Sequence, residues 1–176
     1  MMKWQELIID SYARVLEILE NVLKGLSKED LNMQPNPDAN SIGWLVWHLT
    51  RVQDDHIADL IGEEQLWIKE EWHAKFNRAP EQKDIGFGHS SKEVSAFKSP
   101  DTDILLGYYR AVLKRSRQYI LKLSEADLDR RLDEPWFQPL PTVGVRLVSV
   151  ISDCLQHAGQ ACYVRGLLKG KGWLGY

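Results

Sequence analysis

Two long apolar segments of the sequence each carry a histidine among hydrophobic residues. His48 lies within residues 44–49, and His157 lies within residues 153–160. Burial of an unpaired polar group is unfavourable, so each imidazole needs a hydrogen-bond partner or a ligand. On a helix, Asp153 and His157 lie one turn apart, about 40° from each other, and can reach the same cation.

A third ligand has to come from another helix, and His48 supplies it if the two helices face each other. Two imidazoles and a carboxylate leave coordination positions open, which is typical of catalytic rather than structural zinc sites. A structural interpretation also fits the spacing. In it, Asp153 and His157 form a buried hydrogen-bonded pair, while His48 packs between Trp44 and Trp47.

Other polar residues near His48 have possible roles at such a site. His56 lies about 80° further around the helix and is the alternative ligand. Asp55 lies within about 20° of His48 around the helix axis. If His48 binds a metal, we expect Asp55 to accept a hydrogen bond from its second ring nitrogen. Asp55 or His56 could also transfer protons. His73 and His89 are expected at the surface or in a lid.

Four long helices are predicted to position these residues. Apolar residues recur at three- and four-residue spacing in all four, and Asn40 or Ser41 is expected to cap the second helix. The last helix is the most apolar and is expected to be the most buried. The predicted helices cover residues 3–24, 40–62, 101–123 and 142–169.

The chain is predicted to be all-α, a single four-helix bundle domain over residues 1–176 made of two helix pairs. Residues 26–31 and 123–128 repeat one pattern, in which Ser and Asp are spaced as in a capping box. Residues 63–99 form a long tryptophan-containing connection, expected to hold short helices and to cover something or to have a function. Nothing in the sequence is typical of a strand.

Composition excludes several classes of protein. The 176 residues are 44% hydrophobic and 27% charged, as in one folded domain. A net charge of -3 argues against nucleic-acid binding. Glu6 and Asp10 interrupt the apolar run that a signal peptide needs, and no segment approaches the roughly 20 apolar residues of a membrane span. We therefore expect a cytoplasmic protein without membrane or nucleic-acid partners.

Cys154 and Cys162 are the two cysteines of the chain. They are eight residues apart in the last predicted helix, which separates them by about 12 Å. This exceeds the roughly 7 Å limit for a disulfide, so both are expected to be free thiols.

Residues 41–54 (SIGWLVWHLTRVQD) and 157–168 (HAGQACYVRGLL) resemble the DinB-like superfamily of four-helix proteins. This superfamily includes the YfiT-type metal hydrolases and thiol-dependent enzymes, and the resemblance covers nearly the whole chain. It implies a divalent metal, often zinc or nickel, on one histidine of the second helix and two ligands four residues apart on the last. His48 and His157 match two of the metal ligands of this superfamily by the sequence motifs around them. Asp153 stands where many relatives have histidine, and is similar to the acidic ligand of mycothiol-dependent maleylpyruvate isomerase.

The resemblance implies an enzyme with a small-molecule substrate. The reaction would be transfer of a low-molecular-weight thiol or metal-assisted hydrolysis, since a bound cation lowers the pKa of a coordinated thiol or water. The alternative is a non-catalytic bundle with a relict or structural metal site.

Other residues are candidates for the surroundings of the site or for an interface. Arg51 and Arg165 could pair with a substrate carboxylate. A homodimer is expected from the resemblance and from Trp4 and Trp173, which are predicted to be exposed. The candidates for the pocket are Trp47, Trp72, Phe76, Gln160 and Tyr163.

Overall fold

The computed structural model describes residues 2–173, and within that range the regular elements are α-helices, with no strand. The all-α prediction is confirmed. The four long helices are α1 (Trp4–Leu23), α3 (Ile42–Ile61), α7 (Thr102–Ile120) and α9 (Val143–Lys169). Short helices lie between them: α2 (Lys28–Asn32), α4 (Leu66–Lys69), α5 (Trp72–Lys75), α6 (Ser91–Ala96) and α8 (Glu125–Leu128).

Helix ends follow the local sequence signals. The Ser41 hydroxyl accepts a hydrogen bond from the Trp44 N–H at 3.3 Å, which caps α3. At the other end of α3, Gly62 has a φ of 74°, a left-handed conformation that suits glycine. Asp101 and Thr142 cap α7 and α9 in the same way. The two Ser–Asp turns open α2 and α8 as predicted.

Helix α3 is the most enclosed element of the structure. It packs against both α7 and α9, and α1 packs against the same two helices. All residues from 42 to 54 are buried. The expectation that the last helix would be the most buried is wrong, because α9 keeps an exposed apolar face that includes Val145, Val148, Leu155 and Leu167.

The connection between α3 and α7 explains why α3 is buried on all sides. Trp67, Trp72, Phe76 and Phe97 from this connection are all buried in the core. Trp72 and Phe76 therefore contribute to packing and do not line an open pocket.

A buried carboxylate fixes this connection to α3 and α7. Asp54 is fully buried and accepts hydrogen bonds from the backbone N–H groups of Leu66 and Trp67 at 3.0 and 2.8 Å. It also accepts bonds from the Tyr108 hydroxyl and the Arg115 guanidinium on α7, both at 2.7 Å. Four donors satisfy the two carboxylate oxygens, so the charge is compensated despite its burial.

Two predictions about surface residues are wrong. Trp4 and Trp173 are partly buried and pack against the chain's own core, so they give no support to a homodimer. Arg165 donates to backbone carbonyl groups at the end of α1, including that of Val22 at 2.6 Å, and its guanidinium lies over the Trp173 ring. The partners of Arg165 are therefore groups of its own chain and not a substrate carboxylate.

Cys154 and Cys162 are both free thiols, as expected. Burial raises the pKa of each, so neither is activated as a thiolate. In residues 2–173, none of the helices has the combination of length and apolar character that crossing a bilayer requires.

We predict that Asp54→Asn destabilises the fold strongly. The amide keeps the shape of the carboxylate but removes the charge that pairs with the buried Arg115, and such a loss costs about 3–5 kcal/mol. The free energy of unfolding in urea, followed by circular dichroism, measures this. Asp10→Asn, which removes a charge from an exposed pair with Arg14, should leave the transition midpoint close to that of the wild type. An equally small effect of Asp54→Asn would contradict the assigned role of this carboxylate.

Candidate metal centre

The structure brings His48 of α3 together with Asp153 and His157 of α9. Each residue offers one ligand atom, and these atoms all lie within 4.8 Å of one another. The two imidazole rings meet edge to face, with their centroids 4.6 Å apart. His48 is buried, whereas the side chains of His157 and Asp153 are 19% and 33% exposed. The group is therefore reached from solvent on the α9 side.

Hydrogen bonds orient both imidazoles toward the group. Nδ1 of His48 lies 2.5 Å from the carbonyl oxygen of Ile85, and Nδ1 of His157 lies 2.7 Å from the amide oxygen of Gln160. Because these oxygens can only accept, both Nδ1 atoms carry the proton. The lone pair of each ring is then on Nε2, where a cation can bind it.

Asp153 completes the donor set. Its Oδ1 lies 3.5 Å from Nε2 of His157, and its Oδ2 is buried without a hydrogen-bond partner within residues 2–173. A buried carboxylate oxygen without a donor is unfavourable, and a metal ion would remove that cost.

The electrostatics of the two histidines differ. Burial lowers the pKa of His48, so this imidazole is neutral at pH 7 and its lone pair is available. The nearby Asp153 carboxylate raises the pKa of His157, because it stabilises the protonated imidazole. Protons therefore compete with a cation mainly at His157.

The residues present fit a divalent transition metal. Two imidazole nitrogens and a carboxylate oxygen suit zinc or nickel. Ligand atoms bound to one ion at about 2.1 Å can be at most about 4.2 Å apart. In the tetrahedral geometry of zinc they are about 3.4 Å apart, so the three ligand atoms, which lie within 4.8 Å of one another, would have to move closer together to bind one ion.

Asp55 does not have the predicted role beside His48. Its Oδ1 accepts a hydrogen bond from the Gln65 side chain at 2.5 Å, and the Ile85 carbonyl takes the expected place next to His48. Asp55 lies about two helical turns beyond His48 on α3, and its side-chain partner is Gln65. Helical spacing gave no indication that a loop distant in sequence would supply the acceptor.

His56, the alternative ligand, lies elsewhere in the structure. It is about 12 Å further along α3, and its Nδ1 accepts a hydrogen bond from Arg146 at 2.8 Å. Burial and the neighbouring Arg146 lower its pKa to about 4, so it is neutral at pH 7. The structure does not bring His56 or Asp55 together with Asp153 and His157 in one group.

The aromatic pocket candidates divide into two groups. Trp47 is fully buried and packs against Phe97, so it contributes to the core. Tyr163 is 70% exposed and, together with Gln160, lines an open hollow of about 470 Å³. Gln160 is the link between the hollow and the candidate metal centre, because its amide oxygen contacts His157; none of the three grouped residues lines the hollow itself.

Arg51 has a role that the sequence analysis missed. Its guanidinium is fully buried and donates to the Gln65 side chain at 2.7 Å and to the backbone carbonyl of Gln82 at 2.8 Å. A substrate carboxylate cannot reach it. The signal in the sequence was its position between apolar residues on a helix, which favours burial.

His89 and His73 lie in the connection, as expected. His89 is half-buried, its Nδ1 accepts a hydrogen bond from the Trp44 indole at 3.2 Å, and its Nε2 lies 2.9 Å from Asp84. His73 contacts the Arg78 carbonyl and the Trp67 ring and does not belong to the group of three.

Comparisons with known proteins agree with this description of the fold. No curated protein matches the chain. The crystal structure of a conserved protein of Enterococcus faecalis is similar, with 31% sequence identity and a TM-score of 0.89, and the match covers 97% of this chain and 100% of that one. The family model described as mycothiol S-transferase matches residues 9–170. The chain therefore belongs to the mycothiol S-transferase family, a DinB-like family.

Proposed function

We propose that the protein is a divalent-metal-dependent S-transferase that joins a low-molecular-weight thiol to a small electrophile. The observation that carries the proposal is the convergence of His48, Asp153 and His157, whose ligand atoms all lie within 4.8 Å of one another, with Nδ1 of His48 occupied by the Ile85 carbonyl. The family supports thiol transfer over hydrolysis. Zinc and nickel are the metals that we propose for this donor set.

Three of the chain's own residues would hold the metal. His48 and His157 would each bind through Nε2, and Asp153 would bind through a carboxylate oxygen. A divalent cation bound there would supply the positive charge that deprotonates a thiol at neutral pH. The carboxylate of Asp153 would partly neutralise this charge, and Gln160 would keep His157 in its orientation.

The hollow next to Gln160 is the place that we propose for the substrates. Leu45, Tyr163 and Val164 give it an apolar surface, while Asn40 and Gln160 offer amide groups that can bind polar atoms. Gln160 lines the hollow and also accepts the hydrogen bond from Nδ1 of His157. We therefore propose that a thiol bound in the hollow reaches the metal past Gln160.

The first prediction of this proposal concerns metal content. Protein purified without a chelator or a polyhistidine tag should contain about one divalent ion per chain. His48→Ala and His157→Ala should each lose it, because two ligands do not hold the ion. Elemental analysis by mass spectrometry gives the content, and His73→Ala serves as the control for loss of a histidine elsewhere. Unchanged metal in both ligand variants would refute the site.

The second prediction concerns the acidic ligand. Asp153→His should retain or strengthen metal binding, since imidazole is a common ligand of zinc and nickel. Asp153→Asn, which matches the carboxylate in shape but lacks its charge, should weaken binding. Calorimetric titration with zinc compares the three proteins. Loss of binding in Asp153→His with the fold intact would show that the position is not a ligand.

The third prediction concerns activity. The metal-loaded protein should accelerate conjugation of one member of a thiol panel (mycothiol, glutathione, coenzyme A and cysteine) to a fluorogenic alkylating reagent. His48→Ala should reduce the catalysed rate by at least ~100-fold, because the thiol is no longer deprotonated at the site. His73→Ala should behave as the wild type. If no thiol reacts faster with the loaded protein than without it, the transferase proposal fails.

A further inference from the structure

The segment of residues 81–86, which we name the clasp, lies directly against α3 beside His48. Arg51 donates hydrogen bonds to three backbone carbonyls of the clasp, those of Glu81 at 3.4 Å, Gln82 at 2.8 Å and Asp84 at 3.2 Å. The next carbonyl, that of Ile85, accepts from His48. The clasp therefore contacts two successive turns of α3 through its own backbone.

Arg51 holds the clasp firmly in place. Its side chain is fully enclosed, and its guanidinium lies over the Trp67 ring, 4.6 Å from the centroid. A buried guanidinium that lost its acceptors would be costly, so the backbone carbonyls of the clasp cannot leave without replacement partners. The position of the Ile85 carbonyl is thus fixed by a residue that does not touch the candidate metal centre.

Gly86 allows the clasp to approach this closely. It is buried with a φ of 89°, and a Cβ there would lie 2.9 Å from Nδ1 of His48 and 2.9 Å from the Trp47 ring. It would also lie 3.0 Å from the Trp44 ring. These distances are shorter than normal contacts, and the rings of Trp44 and Trp47 are packed in the core. Any larger residue at position 86 would therefore displace the clasp or the His48 imidazole and disturb the contact between the Ile85 carbonyl and Nδ1.

From these contacts we infer that the clasp is a positioning device for the metal ligand His48. Its Ile85 carbonyl keeps the proton on Nδ1 and directs Nε2 toward Asp153 and His157, while Arg51 holds that carbonyl in place and Gly86 leaves room for it beside the imidazole. Hydrogen bonds to the second nitrogen of a ligating histidine commonly set its tautomer and its orientation. The consequence for metal affinity rests on the proposed function; the consequence for the tautomer does not.

The test compares Gly86→Ala with Gly88→Ala. Both glycines have a positive φ, 89° and 77°, but a Cβ at Gly88 would meet nothing within 4 Å. The two variants therefore share the conformational strain of alanine in this region, and only Gly86→Ala clashes with His48. We expect Gly86→Ala to bind zinc ~10–100-fold more weakly by calorimetric titration. Gly88→Ala should bind zinc as the wild type does.

A second measurement uses the metal-free protein. Long-range ¹H–¹⁵N correlation spectra distinguish the two tautomers of a neutral imidazole. His48 should carry its proton on Nδ1 in the wild type and in Gly88→Ala, and this preference should be lost in Gly86→Ala. Wild-type affinity together with an unchanged tautomer in Gly86→Ala would overturn the inference.

The spectrum of the wild type tests the inferred role of the clasp by itself, even if Gly86→Ala does not fold. A proton on Nε2 of His48 in the metal-free wild type would refute the inference that the clasp sets the tautomer of His48. If the wild type shows the Nδ1 proton but binds no zinc, the proposed function fails and the orienting role of the clasp stands.

Discussion

The enclosure of α3 is the constraint on which the rest of the structure depends. Residues 42–54 are all buried, although His48, Arg51 and Asp54 are polar or charged. Each of these groups needs a partner that water cannot provide. The connection between α3 and α7 provides partners for all three residues, one after another along the helix. The Ile85 carbonyl pairs with His48, the Gln82 and Asp84 carbonyls pair with Arg51, and the Leu66 and Trp67 N–H groups pair with Asp54.

This arrangement links the stability of the fold to the chemistry of the site. The same hydrogen bonds that cover α3 also fix the tautomer of His48, so its Nε2 faces α9. On α9, Asp153 and His157 are placed by helical spacing alone and remain partly exposed. His48 is thus buried and held by the connection, whereas Asp153 and His157 are partly exposed. In the proposed function, His48 would anchor the ion on the buried side and the exposed side would admit substrate.

Much of this could be predicted from the sequence, because the information is local. Apolar periodicity located the four long helices, and the Ser and Asp caps located their starts. Helical spacing and the family resemblance together selected His48, Asp153 and His157. The predictions that failed concern contacts between residues far apart in the sequence. Asp55 was assigned to His48 from helix geometry, whereas a loop 37 residues away supplies the acceptor. Nothing local shows which carbonyls surround a buried guanidinium, so the sequence left Arg51 as a possible partner of a substrate carboxylate or a charge on the helix surface.

The central claim is that one metal ion binds between α3 and α9 through these three residues. Anomalous scattering at the zinc absorption edge, from crystals grown with zinc, tests it most directly. We predict the strongest peak within ~2.5 Å of Nε2 of His48, Nε2 of His157 and a carboxylate oxygen of Asp153. An ion bound at other residues, with no peak among these three, would contradict the account.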